Sequence, residues 1–146
     1  MTLENLLGVS LQAVEPDRAS INRLLEAAAR SLADAQLADM SSEGRFDMAY
    51  KCVMQLANAA LQANGFRTLT SKPGHHQTMI QTLPRTVGLE RPVMIVLDSL
   101  RKQRNVSDYE GDPVSASLAN EAVMQAQSLF AVTVTWLQQH KSHLMG

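Results

Sequence analysis

The chain has 146 residues, a length that fits one domain with a single hydrophobic core. Its net charge of -1 excludes the strongly basic surface of proteins that bind long nucleic acid nonspecifically, so any contact with nucleic acid must be local. With 45% hydrophobic and only 18% charged residues, the composition predicts that another chain covers part of the surface, and a homo-oligomer is expected.

Cysteine content and hydropathy indicate the compartment. Cys52 is the only cysteine, which excludes an internal disulfide and favours a reducing environment. The longest apolar run, VMIVL at residues 93–97, is far shorter than the roughly 20 residues that span a bilayer. The first residues lack the basic segment of a secretory signal. We therefore expect a cytoplasmic protein with no transmembrane helix.

Apolar side chains recur at three- and four-residue spacing in four segments, the pattern of amphipathic helices, and no segment alternates convincingly like a strand. The first segment follows Asp17, which suits a helix start, and the second ends before Gly65. Asp112 followed by Pro113 marks the start of the last segment. In chain order the predicted helices are 17–39, 43–64, 90–105 and 113–141.

Two shorter helices complete the prediction. One runs through HHQTMIQTLP and ends at Leu83, because a residue before a proline such as Pro84 disfavours the helical conformation. The other covers about residues 3–13 and packs alongside the bundle. The predicted fold is all-α, an antiparallel up-and-down helical bundle that forms a single domain over 1–146 with its core at 17–140.

The stretch RKQRNVSDYEGDP, residues 101–113, combines three cations with an acidic segment and is the main candidate for a functional site. Arg101, Lys102 and Arg104 also suit the negative end of a helix dipole without any further role. Arg104 and Asp108 have the i,i+4 spacing of an exposed ion pair, which contributes only about 0.3–0.5 kcal/mol. The segment therefore fits an ordinary solvated helix end as well as a site.

A shared site for Arg104 and Tyr109 requires a break in the helix. On a regular helix the two residues are separated by about 500° of rotation and cannot face one ligand. They converge only if the helix ends near Asn105, as the polar and glycine residues that follow indicate, or if a second subunit supplies its own copy of the motif.

Three stretches together resemble the HEPN domain family of prokaryotes: AYKCVMQLANAALQANGFRT, the GHH of Gly74–His76, and RKQRNVSDY. The resemblance covers about residues 17–140. It implies a helical bundle that usually dimerises and carries a site arginine, a polar residue directly after it and, beyond a short spacer, a histidine. Many such proteins are RNA-cleaving toxins paired with a small nucleotidyltransferase-like protein, and others are noncatalytic binding modules or scaffolds.

By this resemblance the catalytic set is Arg104, Asn105 and Tyr109, with Tyr109 in the place of the histidine, and Arg101 and Lys102 join Arg104 in binding phosphate. Metal-free cleavage of RNA needs a group that moves protons near neutral pH and a cation near the scissile phosphate. Histidine, with a pKa of about 6.5, meets the first need, whereas tyrosine, with a pKa of about 10, stays protonated. The substitution therefore favours binding over catalysis.

Two functions remain open from the sequence, beside the simpler alternative of a helical adaptor whose polar cluster only satisfies a helix end. The first is a homodimer that binds RNA or nucleotide phosphate, either as a binding protein or as a metal-independent, toxin-type ribonuclease. The second is a noncatalytic interaction module that docks a nucleotidyltransferase-like partner protein. Neither function requires a metal or a cofactor, and none is expected.

The remaining histidines and aromatic residues favour structural roles. His75 and His76 are adjacent, which sets their side chains about 100° apart on a helix and does not match the i,i+4 spacing of paired metal ligands. Packing or capping at a helix start is preferred for them over phosphate contact. Tyr50 and Trp136 lie within apolar stripes and are assigned to the core.

Overall fold

The computed structural model describes residues 2–146 and has an all-helical, bundle-like architecture with one small two-stranded sheet. The all-α class predicted from the sequence is confirmed. In chain order the elements are β1 (Leu11–Ala13), α1 (Arg18–Ala35), α2 (Ser42–Ala63), β2 (Phe66–Thr68), α3 (His75–Gln81), α4 (Leu83–Thr86), α5 (Arg91–Glu110) and α6 (Ala116–His140). Within residues 2–146, no helix is both long and apolar enough to cross a membrane.

Helix α2 lies at the centre of the bundle. It packs against α1 and α6, and it also contacts α3, α4, α5 and β2. Its sequence explains this position, because small residues such as Ala57 and Ala60 let neighbouring helices approach while Phe46 and Leu56 fill the space between them. Polar side chains on the one face of α2 that is not covered are therefore placed on a rigid support.

The first two helices begin where the sequence predicts. The Asp17 carboxylate accepts a hydrogen bond from the Ser20 backbone N–H at 3.0 Å and caps α1. Helix α1 ends at Ala35 rather than at residue 39, because the buried stripe stops there and Leu37 is already 53% exposed. Helix α2 matches the prediction of 43–64 closely, and Gly65 follows it with a φ of 89°.

The N-terminal helix predicted over 3–13 is wrong. The segment instead contains a 3-10 helix at Glu4–Leu6 and strand β1, which pairs antiparallel with β2. Leu11 and Phe66 from the two strands are buried together in a small apolar cluster beside the main core. Strands of three residues contain too few positions to show an alternating pattern, so this sheet left no sequence signal.

Two other helix boundaries also differ from the prediction. Helix α3 ends at Gln81, and Pro84 does not terminate a helix but lies in the first turn of α4, where its missing N–H costs nothing. Helix α6 begins at Ala116 and not at residue 113, because Ser115 provides the cap through its hydroxyl, which accepts a hydrogen bond from the backbone three residues on at 3.0 Å.

Helix α5 differs most from the prediction, because it does not end near residue 105. It continues to Glu110 and stops at Gly111, whose φ of 72° lies in the left-handed region. The Gly111 N–H donates to the Ser107 carbonyl oxygen at 3.0 Å and closes the last turn. The predicted site depended on a break after Arg104, so this boundary decides which side chains share a surface.

Candidate functional site

A groove of about 540 Å³ opens between α2, α3 and α5. The polar side chains from α2 recur at three- and four-residue spacing and therefore lie on one face of that helix. Helix α3 contributes a histidine and a methionine, and α5 contributes one arginine. The lining residues are Asp47, Met48, Tyr50, Lys51, Met54, Gln55, Asn58, His76, Met79 and Arg104.

Three of the lining residues form a connected group: Arg104, Tyr50 and His76. The guanidinium carbon of Arg104 lies 4.9 Å from the centroid of the Tyr50 ring, within the range of a cation–π interaction. The Tyr50 hydroxyl lies 3.3 Å from His76 Nδ1 and shares a hydrogen bond with it. Tyr50 is only 3% exposed, so its ring is a fixed platform that holds the cation and the imidazole in place.

The electrostatic environment keeps the imidazole of His76 neutral near pH 7. Partial burial lowers the pKa of His76, and the neighbouring His75, Arg104 and Arg101 lower it further. Burial raises the pKa of Tyr50, an effect that the positive charge of Arg104 partly offsets, so the phenol remains protonated. Arg104 is therefore the permanent charge of this group.

Two carboxylates lie near Arg104 without enclosing it. Arg104 Nε lies 3.7 Å from Asp108 Oδ2, and the two side chains are 35% and 48% exposed, so the predicted ion pair is present but solvated. Burial and then the charge of Asp108 raise the pKa of Asp47, while Arg104 acts in the opposite direction. A guanidinium has five N–H donors, so Arg104 keeps donors free for a ligand in the groove.

The other predicted phosphate-binding cations lie elsewhere on α5. Arg101 Nε donates to Asp98 Oδ1 at 2.8 Å, and both side chains are largely buried, which gives this pair a structural role. Lys102 is 69% exposed and lies 3.8 Å from the other oxygen of Asp98. Neither residue lines the groove, although the charge of Arg101 still acts on His76.

The predicted convergence of Arg104 with Tyr109 is wrong for a single chain. Because α5 continues through both residues, they point in different directions, and Tyr109 is 87% exposed. Asn105 is also exposed and lies about 100° around the helix from Arg104. Of the five residues assigned from the sequence, Arg104 is the one that lines the groove.

Sequence reasoning missed Tyr50 and His76 as site residues. Tyr50 was assigned to the core, which is correct for its burial, but its hydroxyl and one ring face also contact polar groups. His76 was assigned to packing or capping at a helix start, whereas it lines the groove beside Tyr50. The signal for both was weak, because only the packing of α3 and α5 on α2 brings these residues together.

A second groove, of about 570 Å³, lies between the N-terminal segment, α3, α4 and the start of α5. Arg85 and Arg91 line it, and both are exposed. Its lining has no histidine and no aromatic platform, so its cations are held less rigidly than Arg104. Among residues 2–146, no group of three or more histidine, cysteine or acidic side chains is arranged to hold a metal ion.

Comparison with known proteins identified no relatives: no family model, curated protein or solved structure matches the chain significantly.

Proposed function

We propose that this chain is a HEPN-like protein that binds a phosphate group of RNA or of a nucleotide in the groove between α2, α3 and α5. The observation that carries the proposal is the position of Arg104, whose guanidinium lies over the buried Tyr50 ring in a groove that also contains a neutral histidine. An arginine held in this way is pre-organised to donate several hydrogen bonds to one anion.

The charges around the groove support an anionic ligand. Lys51, which is exposed and follows Tyr50 on α2, also lines the groove and adds a second cation. The chain as a whole carries a net charge of -1, so the attraction is local and favours a short anionic segment over a long duplex. Phosphate groups in a nucleotide or in single-stranded RNA meet this requirement.

Binding fits the groove better than cleavage does. Cleavage by the 2′-hydroxyl of RNA needs one group to remove a proton and another to supply one. Burial and the neighbouring cations lower the pKa of His76, Tyr50 occupies its Nδ1, and Tyr109 is on another face of α5. One neutral imidazole beside one arginine therefore supports recognition of phosphate, and metal-independent ribonuclease activity is a separate outcome of the test below.

Binding of labelled single-stranded RNA, followed by fluorescence anisotropy, tests the proposal. Replacement Arg104→Ala removes the guanidinium from the groove, and we expect affinity to fall about 10- to 100-fold, since a hydrogen bond to a charged group contributes about 1.5–3 kcal/mol. Lys102→Ala removes a cation from the same helix outside the groove and should change affinity less than threefold. Equal losses in the two variants would contradict the proposed site.

A parallel incubation with mixed RNA in EDTA separates binding from catalysis. Cleavage by the unmodified protein that is lost in Arg104→Ala would establish a metal-independent ribonuclease at the same groove. Binding without cleavage would establish a binding protein. Absence of both would leave the docking function described next as the better account.

The outer face of α5 favours a second candidate function, a noncatalytic module that docks another protein. Ile95, Val106 and Tyr109 are 57%, 38% and 87% exposed and lie along one side of the helix, since eleven residues complete about three turns. Exposed apolar side chains in such a row are typical of protein contacts. The proposed occupants are a second copy of the chain and a nucleotidyltransferase-like partner.

Measurement of molar mass by light scattering tests this face. A homodimer that dissociates on Ile95→Asp but not on Met124→Asp, a matched change at a 62% exposed position on α6, would assign the contact to α5. A monomer at all concentrations would exclude self-association, and titration with a nucleotidyltransferase-like protein would then test the remaining occupant.

A further inference from the structure

Two side-chain amides line the groove beyond Tyr50, and internal hydrogen bonds orient both of them. The Gln55 amide oxygen accepts from the hydroxyl of the buried Ser31 at 2.9 Å. The Asn58 amide oxygen accepts from Gln62 Nε2 at 3.1 Å. The oxygen and the NH₂ of an amide diverge from one planar carbon, so a hydrogen bond to the oxygen turns the NH₂ group away from that bond.

The NH₂ groups of Gln55 and Asn58 have no hydrogen-bond partner among residues 2–146, and both residues line the groove. Lys51 and Arg104 add further donors, because neither side chain can accept a hydrogen bond. Asp47, at the exposed edge, is the one carboxylate in the lining. Hydrogen-bond donors therefore outnumber carboxylates in the lining, which favours a ligand rich in acceptors.

The spacing along α2 matches a ligand with an anion at one end and a ring at the other. Asn58 follows Tyr50 by eight residues, which is about 12 Å along the helix axis. This distance is comparable with the length of one nucleotide from its phosphate to the far edge of its base. Met54, which lies between Tyr50 and Asn58 on α2, and Met79 on α3 also line the groove and provide polarisable side chains for the flat face of a ring.

We infer that the groove selects a nucleotide whose base presents carbonyl oxygens, of the uracil or hypoxanthine type, to the amide NH₂ groups of Gln55 and Asn58 while its phosphate binds Arg104. The inference rests on the proposed function, because it takes the phosphate position as given. Exocyclic amino groups of cytosine and adenine would set donor against donor at the same place. The familiar bidentate pairing of a glutamine or asparagine with adenine needs the amide oxygen, which here is directed toward Ser31 or Gln62.

Matched nucleotides test the selection directly. Isothermal titration of the full chain with UMP and CMP, and with IMP and AMP, compares a carbonyl oxygen beside a ring N–H with an amino group beside an unprotonated ring nitrogen. We expect the carbonyl member of each pair to bind about 10-fold more tightly, which corresponds to one lost base contact. Ribose 5-phosphate, which has no base, should bind more weakly than UMP.

The outcomes distinguish the inference from the proposed function. Equal affinity within each pair, or ribose 5-phosphate binding as tightly as UMP, would overturn base selection. If binding were still lost in Arg104→Ala, the proposed phosphate site would stand without base selection. No binding of any nucleotide or RNA would overturn both. Oligouridine that binds more tightly than UMP would identify RNA as the source of the base, whereas equal affinities of oligouridine and UMP would identify a free nucleotide. In either case, oligocytidine should bind more weakly than oligouridine.

Two variants place the selection on specific atoms. Gln55→Glu keeps an oxygen for Ser31 but replaces the NH₂ donor, so UMP affinity should fall about 10-fold more than that of ribose 5-phosphate. Ser31→Ala frees the amide to rotate and should reduce the preference for UMP over CMP while leaving ribose 5-phosphate unchanged. Thermal melting of each variant verifies folding. An unchanged preference in both variants would contradict the assignment of Gln55.

Discussion

The contact between Arg104 and Tyr50 is measurable as a coupling free energy, which we expect to be about 1 kcal/mol. A cation–π contact contributes about 0.5–1 kcal/mol when exposed and about 2 kcal/mol when desolvated. At 4.9 Å, with the arginine side chain 35% exposed and the tyrosine only 3% exposed, this pair lies between those limits. The ion pair of Arg104 with Asp108 adds about 0.3 kcal/mol to the cost of Arg104→Ala, because both partners are solvated.

Urea unfolding followed by circular dichroism measures the coupling in a double-mutant cycle of Arg104→Ala and Tyr50→Leu. A control cycle combines Lys102→Ala with Tyr50→Leu, since Lys102 shares the helix but does not line the groove. We expect about 1 kcal/mol in the first cycle and less than about 0.3 kcal/mol in the control. Coupling of similar size in both would show that the guanidinium does not rest on the ring in solution, and the case for a pre-organised phosphate site would fail.

Three further outcomes follow from the same geometry. Because the pKa of His76 is lowered in the folded chain, the unfolded chain takes up a proton first as pH falls through about 6.5, so acid reduces stability. We expect His76→Gln to lessen the loss of unfolding free energy between pH 7.5 and 5. An unchanged loss would contradict the burial of the imidazole. Asp98→Ala leaves Arg101 largely buried without its partner and should lower the free energy of unfolding by about 2 kcal/mol. The control Asp112→Ala, at an exposed position, should change it by less than about 0.5 kcal/mol. Equal effects would refute a structural role for the pair of Asp98 and Arg101. Gly111→Ala should lower the free energy of unfolding by about 1 kcal/mol, because the positive φ of this residue disfavours a side chain. Crowding adds nothing to this cost, since a Cβ at Gly111 would meet no atom within 4 Å. An unchanged melting temperature would argue against the left-handed end of α5.

The helical class and the helices α1 and α2 could be predicted from local pattern, because each of these helices has a continuous apolar stripe. The starts of α1 and α2 were also predictable, since a side-chain cap acts within three residues and leaves a local signal. The start of α6 was less predictable. Asp112 with Pro113 has the composition of a helix start, yet Ser115 provides the cap that the chain uses.

Arg104 was identified from the sequence, but its partners were not. The reason is that the three residues are far apart in the sequence. Tyr50, His76 and Arg104 lie on three different helices, and no local sequence pattern indicates which faces of those helices meet. The prediction instead paired Arg104 with Tyr109, a neighbour in sequence, and the uninterrupted helix α5 separates them.

The sequence by itself determined that the chain forms helices, that their apolar stripes build one main core, and that a cation-rich segment lies on the fifth helix, because these properties depend on side chains a few positions apart. Only the tertiary structure decided that Arg104 faces Tyr50 and His76 and that Tyr109 does not. The physical reason is that the direction of a side chain depends on where its helix ends and on which neighbour covers it, and both are settled by packing across the whole bundle.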